Sequence, residues 1–322
     1  MAGMSDRGGV VLADVGGTNV RFGLLKGGVL GPIEHLAVRE YRCFGDALAV
    51  FMGRHVEGAA TSAILAVAGV VKGERCELTN YPWVVDAAEL RTRFGFSHIS
   101  LVNDFEAVAW SLPHLTPDDL RKVGGGEPML DAPMLTLGPG TGLGVAAYVP
   151  LGGDGFVLRS EGGHATLPSG SPRENAIVEH LRQHFGHVSA ERVLSGHGLE
   201  NLYHAIASID AAAVPQRSAA EITQAAIEGR CATSRAALDM FCALLGEVAG
   251  NLALSLGAQG GVYIAGGIVS HLRDELPRSQ FRVRFQAKGR MSDYVVAIPV
   301  YLILHRDPAF IGLRSLAARL LR

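Results

Sequence analysis

Lysine is scarce in this sequence: of 29 basic residues, the lysines are Lys26, Lys72, Lys122 and Lys288. None of them follows a glycine, so the Gly-Lys-Ser/Thr core of a P-loop is absent. Acidic and basic residues nearly balance, and the formal net charge of −2 offers no basic surface to nucleic acid. We therefore expect neither a P-loop ATPase nor a nucleic-acid-binding protein.

Cysteine is also sparse, and the four thiols are scattered. They lie at Cys43, Cys76, Cys231 and Cys242, with no Cys-x-x-Cys spacing. This pattern fits neither a disulfide framework nor a structural zinc site. It favours a protein of the reducing cytoplasm.

One long uncharged run invites a membrane interpretation. Between Glu247 and His271 there is no charged residue, a length that could span a bilayer. Polar residues interrupt the run and glycines crowd its second half. A buried helix ending near Gly257, followed by a strand at Val262–Ala265, explains it better, so we expect no membrane span. The N-terminal apolar run is too short for a signal peptide, because Asp14 and glycines interrupt it.

Apolar runs of strand length alternate with helical patterns along the chain. The length of 322 residues and the 48% hydrophobic content suit two well-packed domains. The alternation predicts an α/β fold. The proline- and glycine-rich stretch Pro113–Pro133 is the expected domain boundary. The clearest predicted elements are helices at Phe44–Val56 and Asp86–Phe94, and strands at Ile64–Ala68, Ile99–Val102, Met134–Leu137 and Val145–Val149.

The stretch Leu12–Arg21, LADVGGTNVR, predicts a strand, a glycine turn and a second strand. Glycines can adopt positive φ and direct successive backbone N–H groups toward an anion such as phosphate. Taken alone, an ordinary β-hairpin is the simpler interpretation.

Two later glycine turns also follow apolar strands, at Gly140 and Gly266. Aligning Thr141 with Thr18 places Gly140 on Gly17 and leaves Leu137 at the position of Asp14. The similarity is short and fits either coincidence or a duplicated fold. If the halves are related, the first alone of these two turns carries an acid.

Six segments occur in a fixed order: LADVGGTNVR, LVNDFEAVA, GTGLGVA, EGGH, SAERVLSG and IAGGIV. Together they resemble the bacterial glucokinases of the proteobacterial type, in the superfamily of actin, hexokinase and heat-shock ATPases. The resemblance runs from residue 11 to the C-terminal helix. It implies an α/β, two-domain actin-like/hexokinase (ribonuclease H-like) ATPase fold with a cleft between domains. Residues 1–110 and 306–322 would form a small α/β domain, and residues 111–305 a large one.

The resemblance also implies the activity, ATP-dependent phosphorylation of glucose at its 6-hydroxyl. Asp104 would be the catalytic base, and Asn103, Asp104, Glu161, His164 and Glu191 would bind the sugar. Each has a plainer interpretation from the residues alone. Asp104 also suits a helix cap, Glu161 with His164 suits a surface ion pair or two metal ligands, and Glu191 suits a first-turn helix carboxylate.

The implied cofactors are ATP and Mg²⁺, with Asp14 holding the metal through water. Two positions depart from the family pattern: Ala13 replaces a frequent glycine, and Val70 replaces a usual proline in the sugar-side loop. The nucleotide would contact Asp14, Val15, Gly16, Gly17, Thr18, Asn19, Gly140, Thr141, Gly142, Gly266 and Gly267.

Two alternatives stay open at this point. The first is a kinase for another hexose on the same scaffold, which the sequence discriminates poorly. The second is a sugar-sensing regulator, which would need a DNA-binding domain where about ten residues precede the first strand. The presence of Asp104 also argues against a regulator. The family suggests a cytoplasmic homodimer whose partners are glucose and ATP.

Overall fold

The computed structural model describes residues 8–55 and 60–320. Their contacts group into two compact units. The first unit runs to Leu115 and resumes at His305, and the second unit spans Thr116–Leu304. Each unit has its own central sheet and its own apolar core.

The first unit opens with a hairpin and continues through alternating strands and helices. Its strands are β1 (Val10–Val15), β2 (Asn19–Lys26), β3 (Val29–Leu30), β4 (Glu34–Ala37), β5 (Ser62–Val67), β6 (Val71–Lys72), β7 (Arg75–Glu77), β8 (Val84–Asp86) and β9 (His98–Asn103). Its first helices are α1 (Phe44–His55), α2 (Ala87–Phe94) and α3 (Asp104–Ser111). The predicted helices are confirmed, although the predicted end at residue 56 lies outside the described residues.

The main sheet of the first unit has the order β3-β2-β1-β5-β9, with β4 also pairing to β2. All six residues of β1 are buried, because it lies between antiparallel β2 and parallel β5. A continuous apolar strand is what such a central position requires. Strands β6, β7 and β8 form a separate small sheet.

The second unit contains the longest helix. Its strands are β10 (Leu120–Gly124), β11 (Met134–Pro139), β12 (Leu143–Leu151), β13 (Asp154–Ser160), β14 (Val262–Ile264) and β15 (Val300–Ile303). Its helices are α4 (Pro172–Phe185), α5 (Gly196–Ile209), α6 (Ala219–Ile227), α7 (Ala232–Leu256), α8 (Gly267–His271), α9 (Phe281–Gln286) and α10 (Ser292–Val296). Helix α11 (Pro308–Leu320) returns to the first unit.

Helix α7 is the origin of the long uncharged run. It is long and apolar enough to cross a membrane, yet 67% of its most apolar window is buried within the structure. Phe241, Leu245 and Ala249 belong to the core of the second unit. The helix ends at Leu256, and the next residue, Gly257, adopts the left-handed conformation that terminates helices. The predicted buried helix ending near Gly257 is thus confirmed.

The two main sheets repeat one strand order. In the second unit the order is β10-β15-β14-β11-β12-β13. When β10 and β4 are left out, the first sheet is β3-β2-β1-β5-β9 and the second, read in the opposite direction, is β13-β12-β11-β14-β15. In each sheet, three antiparallel strands that are consecutive in the chain lie beside two strands that run parallel to the first of them. This repeat supports the predicted duplication.

The register changes one detail of that duplication. In the first hairpin, the last paired residues are Val15 and Val20, and residues 16–19 lie between them. In the second hairpin, the last paired residues are Pro139 and Leu143, and residues 140–142 lie between them. Counting back from these pairs, Asp14 corresponds to Gly138 rather than to Leu137. The sequence alignment was one residue off because the two turns differ in length. The conclusion that no acid stands at the second position is unchanged.

Candidate functional site

The turn of the first hairpin is exposed at Thr18 and Asn19, and its glycines are half-buried. The turn is closed by a hydrogen bond from the Gly16 amide to the Asn19 carbonyl, at 3.0 Å. Neither Gly16 nor Gly17 has a positive φ, so the predicted use of that conformation is wrong. The space at Gly16 favours glycine instead, because a Cβ there would make a tight contact of 3.2 Å with the Asn19 carbonyl oxygen.

Asp14 is the next-to-last residue of β1, one residue before this turn, and is 9% exposed. Burial raises the pKa of its carboxyl, while the nearby Arg21 guanidinium opposes that rise. Arg21 faces Asp14 across the hairpin and donates to its Oδ2 at 2.5 Å. The same guanidinium lies 3.2 Å from Asp307 Oδ1, and His35 lies 3.5 Å from Asp307 Oδ2. Asp14 therefore belongs to a charge cluster whose two carboxylates are buried and whose basic members, Arg21 and His35, are partly exposed.

Sequence reasoning missed Arg21 and Asp307 as members of this cluster. Arg21 had a usable signal, since the hairpin register puts it opposite Asp14. Asp307 had none that is local, because it precedes α11 at the far end of the chain.

Asn103 and Asp104 lie where β9 ends and α3 begins. The helix cap is Asn103, whose Oδ1 accepts from the Phe105 amide at 2.9 Å and the Glu106 amide at 3.3 Å. The alternative that Asp104 caps a helix starting at Phe105 is wrong, because Asp104 is the first helical residue. Asp104 is half-buried, and its Oδ1 also accepts from the Phe105 amide, at 2.9 Å.

The first hairpin and Asn103 share one edge of the sheet. The parallel registers put Val15, Val67 and Asn103 in one row across β1, β5 and β9. Neighbouring strands are about 4.8 Å apart, so the two outer members of the row are about 10 Å apart. The structure thus brings the turn after Asp14 and the acid Asp104 to the same carboxyl edge.

The loop after β5 joins these features by hydrogen bonds. The Ala68 amide donates to the Val15 carbonyl at 2.9 Å, and Asn103 Nδ2 donates to the Gly69 carbonyl at 3.2 Å. Gly69 tolerates no side chain, because a Cβ there would lie 2.4 Å from the Glu77 carbonyl oxygen. Val70, which departs from the family pattern, is an exposed residue.

In the second unit, the structure brings together the three other residues predicted to bind sugar. Residues 162–164 form a short 3₁₀ helix that holds His164 Nε2 4.0 Å from Glu161 Oε2. His164 Nδ1 lies 3.9 Å from Glu191 Oε1. The side chains of Glu161 and His164 are 61% and 57% exposed, and that of Glu191 is 27% exposed. Within residues 8–55 and 60–320, no group of three His, Cys, Asp or Glu residues is arranged to hold a metal.

Glu191 has a second contact that the sequence did not predict. Its Oε2 accepts from the backbone amide of Leu143 at 2.9 Å, where the second glycine turn ends. The plainer interpretation as a carboxylate that serves its own helix turn is therefore insufficient. Gly142 leaves room for this contact, because a Cβ there would lie 2.4 Å from Glu191 Oε2.

The turn at Gly266 lies beside the second hairpin. The amide of Ala265 donates to the Leu137 carbonyl at 3.0 Å. Gly266 has a φ of +101°, and a Cβ there would lie 2.4 Å from the Pro139 carbonyl oxygen. The chain then enters helix α8 at Gly267, so this third turn joins a strand to a helix.

Two units with one strand order, each with a glycine turn at the edge of its sheet, define a protein of the actin-like sugar kinase class. A family model described as Glucokinase matches residues 11–320. The glucokinase of Paramagnetospirillum magneticum is 46% identical over 311 residues, covering 95% of this chain and 97% of that protein. The glucokinase of Cronobacter sakazakii is 41% identical and covers 94% of both chains.

Solved structures agree with these relatives. A glucokinase from an Antarctic psychrotroph is 32% identical, with a TM-score of 0.85 over 97% of this chain and 99% of that one. A ROK family glucokinase from Streptomyces griseus, solved with glucose and AMPPNP, is 18% identical with a TM-score of 0.65 over 97% of this chain and all of that one. It supports the fold alone.

The chain belongs to the glucokinase family. Its reaction is the ATP-dependent phosphorylation of glucose. The predicted family, fold class and enzyme activity are confirmed.

Proposed function

We propose that this protein transfers the γ-phosphoryl group of ATP to the 6-hydroxyl of glucose, with Asp104 as the general base. The observation that carries this assignment is the common sheet edge of the first unit. It presents the turn after Asp14 and the Asn103–Asp104 pair in neighbouring rows. Phosphoryl transfer depends mainly on positioning the reacting groups and on stabilising charge. The base that accepts the proton of the sugar hydroxyl and the turn that binds phosphate are therefore expected to lie close together.

Asp104 accepts the proton of the sugar hydroxyl as that oxygen attacks phosphorus. Its place in the first turn of α3 favours the ionised carboxylate that a base needs. Asn103 holds the start of the helix through its side-chain oxygen and holds the Gly69 loop through its nitrogen. Its amide therefore orients Asp104 as well as contributing to the sugar site.

Glu161, His164 and Glu191 bind sugar hydroxyls. A carboxylate accepts hydrogen bonds and a histidine ring both donates and accepts, so this set suits vicinal hydroxyls. The exposure of Glu161 and His164 leaves them accessible to a ligand. Replacing Glu161 by glutamine should raise the KM for glucose about tenfold, the effect of losing about 1.4 kcal/mol of binding. The matched control is Glu179→Gln, an equally exposed glutamate on α4 paired with Arg182.

ATP phosphates contact the turn from Val15 to Asn19 in the first unit. The turn Gly140–Gly142 and the turn Gly266–Gly267 of the second unit serve the same nucleotide. The glycines of these turns carry no side chains, which lets backbone N–H groups approach phosphate oxygens.

Asp14 is the residue proposed to hold Mg²⁺. Its carboxylate is the hard oxygen donor that Mg²⁺ prefers, and one carboxylate together with substrate phosphates and waters is a common arrangement for this ion. When bound, Mg²⁺ neutralises charge that develops on the phosphates. Arg21, at 2.5 Å, offsets the charge of Asp14 within the protein itself.

The predicted domain boundaries, at 110/111 and 305/306, remain a proposal. The grouping of contacts into units that change at Leu115/Thr116 and Leu304/His305 supports them. We also propose a cytoplasmic homodimer. Four free thiols support the compartment, and the family resemblance supports the dimer.

A coupled assay of ADP release tests the proposal. Glucose should give the highest kcat/KM among glucose, mannose, fructose and N-acetylglucosamine, and chelation of Mg²⁺ should abolish turnover. A higher kcat/KM for another hexose would contradict the substrate assignment. Full turnover in excess chelator would contradict the role of Asp14.

A further inference from the structure

The segment Leu78–Asn80 lies at the same edge as the first glycine turn and was not among the predicted site residues. It connects β7 to β8. Leu78 is buried, and its amide donates to the Trp83 carbonyl at 3.0 Å. The Thr79 amide donates to the Ala68 carbonyl at 3.1 Å. The backbone of this segment is therefore fixed to the loop that follows β5.

Asn80 is exposed and lies beside the first glycine turn, residues 16–19. A Cβ built on Gly17 would lie 3.4 Å from Asn80 Cβ and 3.5 Å from its carbonyl oxygen. The side-chain amide of Asn80 has no hydrogen-bond partner among the residues that the structure describes. Within the described residues, the side chain of Asn80 therefore stabilises the fold through no hydrogen bond, although it lies beside the turn.

The hydrogen bonds around this segment link the region of the first glycine turn to the loop that contacts Asn103. Asn80 lies where a side chain on Gly17 would meet it, and the amide of its neighbour Thr79 donates to the Ala68 carbonyl. The next residue of that loop, Gly69, accepts from Asn103. Asn80 therefore lies beside the turn proposed for phosphates, on a segment bonded to the loop that contacts Asn103.

The transferring phosphoryl group needs hydrogen-bond donors at this point. Charge spreads over its equatorial oxygens in the transition state, and fixed donors there supply much of the catalysis. The nearby cation, Arg21, is engaged by Asp14 and Asp307. A carboxamide provides two N–H donors without adding charge.

We propose that Asn80 is a further catalytic residue, whose Nδ2 donates to an oxygen of the γ-phosphoryl group as it passes from ATP to glucose. The inference rests on the function proposed above. The O–P bond to ADP breaks as the bond to the sugar 6-oxygen forms, and the hydroxyl proton goes to Asp104. Asn80 changes no covalent bond; it stabilises the charge on the group in transit.

The test compares Asn80→Ala and Asn80→Asp with wild type and with Glu77→Gln. Glu77 is a suitable control because it lies three residues away and its side chain is 72% exposed. The measurements are kcat, both KM values, the melting temperature, and the affinities for AMPPNP and for ADP with aluminium fluoride in the presence of glucose. The last ligand mimics the phosphoryl group in transit.

Asn80→Ala should lower kcat by about 100-fold, the effect of removing one such donor. The KM for glucose and the affinity for AMPPNP should stay within about twofold, because the contact forms in the transition state. The affinity for ADP with aluminium fluoride should fall with kcat. Asn80→Asp should lower kcat further, since it replaces the donor with an anion, and Glu77→Gln should match wild type.

Three results would overturn the inference: an unchanged kcat in Asn80→Ala, a loss confined to the KM for glucose, or a loss that Glu77→Gln shares. Asp104→Asn in the same assay separates this inference from the function on which it rests. If Asp104→Asn turns over normally, the proposed mechanism fails. If Asp104→Asn is inactive and Asn80→Ala is normal, the role of Asn80 alone fails.

Discussion

Replacing Asn103 removes two structural contacts as well as a proposed sugar ligand. Its Oδ1 caps α3 by accepting from the amides of Phe105 and Glu106. Its Nδ2 donates to the Gly69 carbonyl. Alanine abolishes both contacts, whereas aspartate keeps the capping oxygen and loses the donor. The pair of variants therefore separates the cap from the loop contact.

The expected losses follow from these contacts. Losing an Asn cap costs about 1 kcal/mol of folding free energy. Losing a hydrogen bond to a loop carbonyl costs about 1 kcal/mol more. Asn103→Ala should therefore lose about 2 kcal/mol and Asn103→Asp about half as much. With about 2–4 °C per kcal/mol, the melting temperatures should fall by about 4–8 °C and about 2–4 °C.

Scanning calorimetry and urea unfolding measure these differences, and the kcat of each variant reports the effect on Asp104. Asp104→Asn is the control, because it leaves the Asn103 contacts in place. If Asn103→Ala melts within 1 °C of wild type, the capping contacts do not stabilise the unit. If both Asn103 variants lose the same amount, the separation of cap and loop contact is wrong.

Three further predictions concern other parts of the chain. Gly266→Ala should lower the melting temperature, because the φ of +101° and a carbonyl oxygen 2.4 Å from the added Cβ exclude a side chain there. The control Gly267→Ala should melt like wild type, because no atom lies within 4 Å of its added Cβ. Equal melting temperatures for the two variants would contradict this prediction. Burial acts to raise the pKa of Glu174, but the Arg284 guanidinium holds that pKa below its ordinary value. The ion pair therefore stabilises the protein at neutral pH, and its contribution is lost as pH falls through the lowered pKa. Glu174→Gln should then cost about 3 kcal/mol at pH 7 and less in acid, and a loss by urea unfolding that does not shrink with pH would refute it. Burial, with the charges of Asp104 and Glu77, raises the pKa of the Cys76 thiol to about 11, so this thiol should stay unmodified by a thiol reagent at pH 8 until the protein unfolds, and rapid labelling in the native state would contradict it.

Local patterns were enough to predict the elements that carry the site. The apolar run before Asp14 predicts β1, and the run before Asn103 predicts β9. Parallel strands end at one edge, so the two acids reach the same side of the sheet.

Contacts between distant segments could not be predicted in this way. Asp307 reaches Arg21 from the other end of the chain, and Asn80 reaches Gly17 through a loop without a repeating pattern. The expected use of positive φ in the first glycine turn was wrong for a related reason. The space around a glycine decides whether a side chain fits, as at Gly69 and Gly142, where a Cβ would lie 2.4 Å from a neighbouring oxygen, and a sequence does not display such contacts.

The central claim is that Asp104 removes the proton from the sugar hydroxyl. Asp104→Asn keeps the size of the side chain and leaves the Asn103 cap intact. The decisive measurement is the rate of a single turnover, together with the glucose affinity measured by calorimetry. We predict a rate about 10²–10⁴-fold below wild type with glucose affinity within a few-fold. A single-turnover rate within tenfold of wild type, with glucose bound normally, would contradict the account.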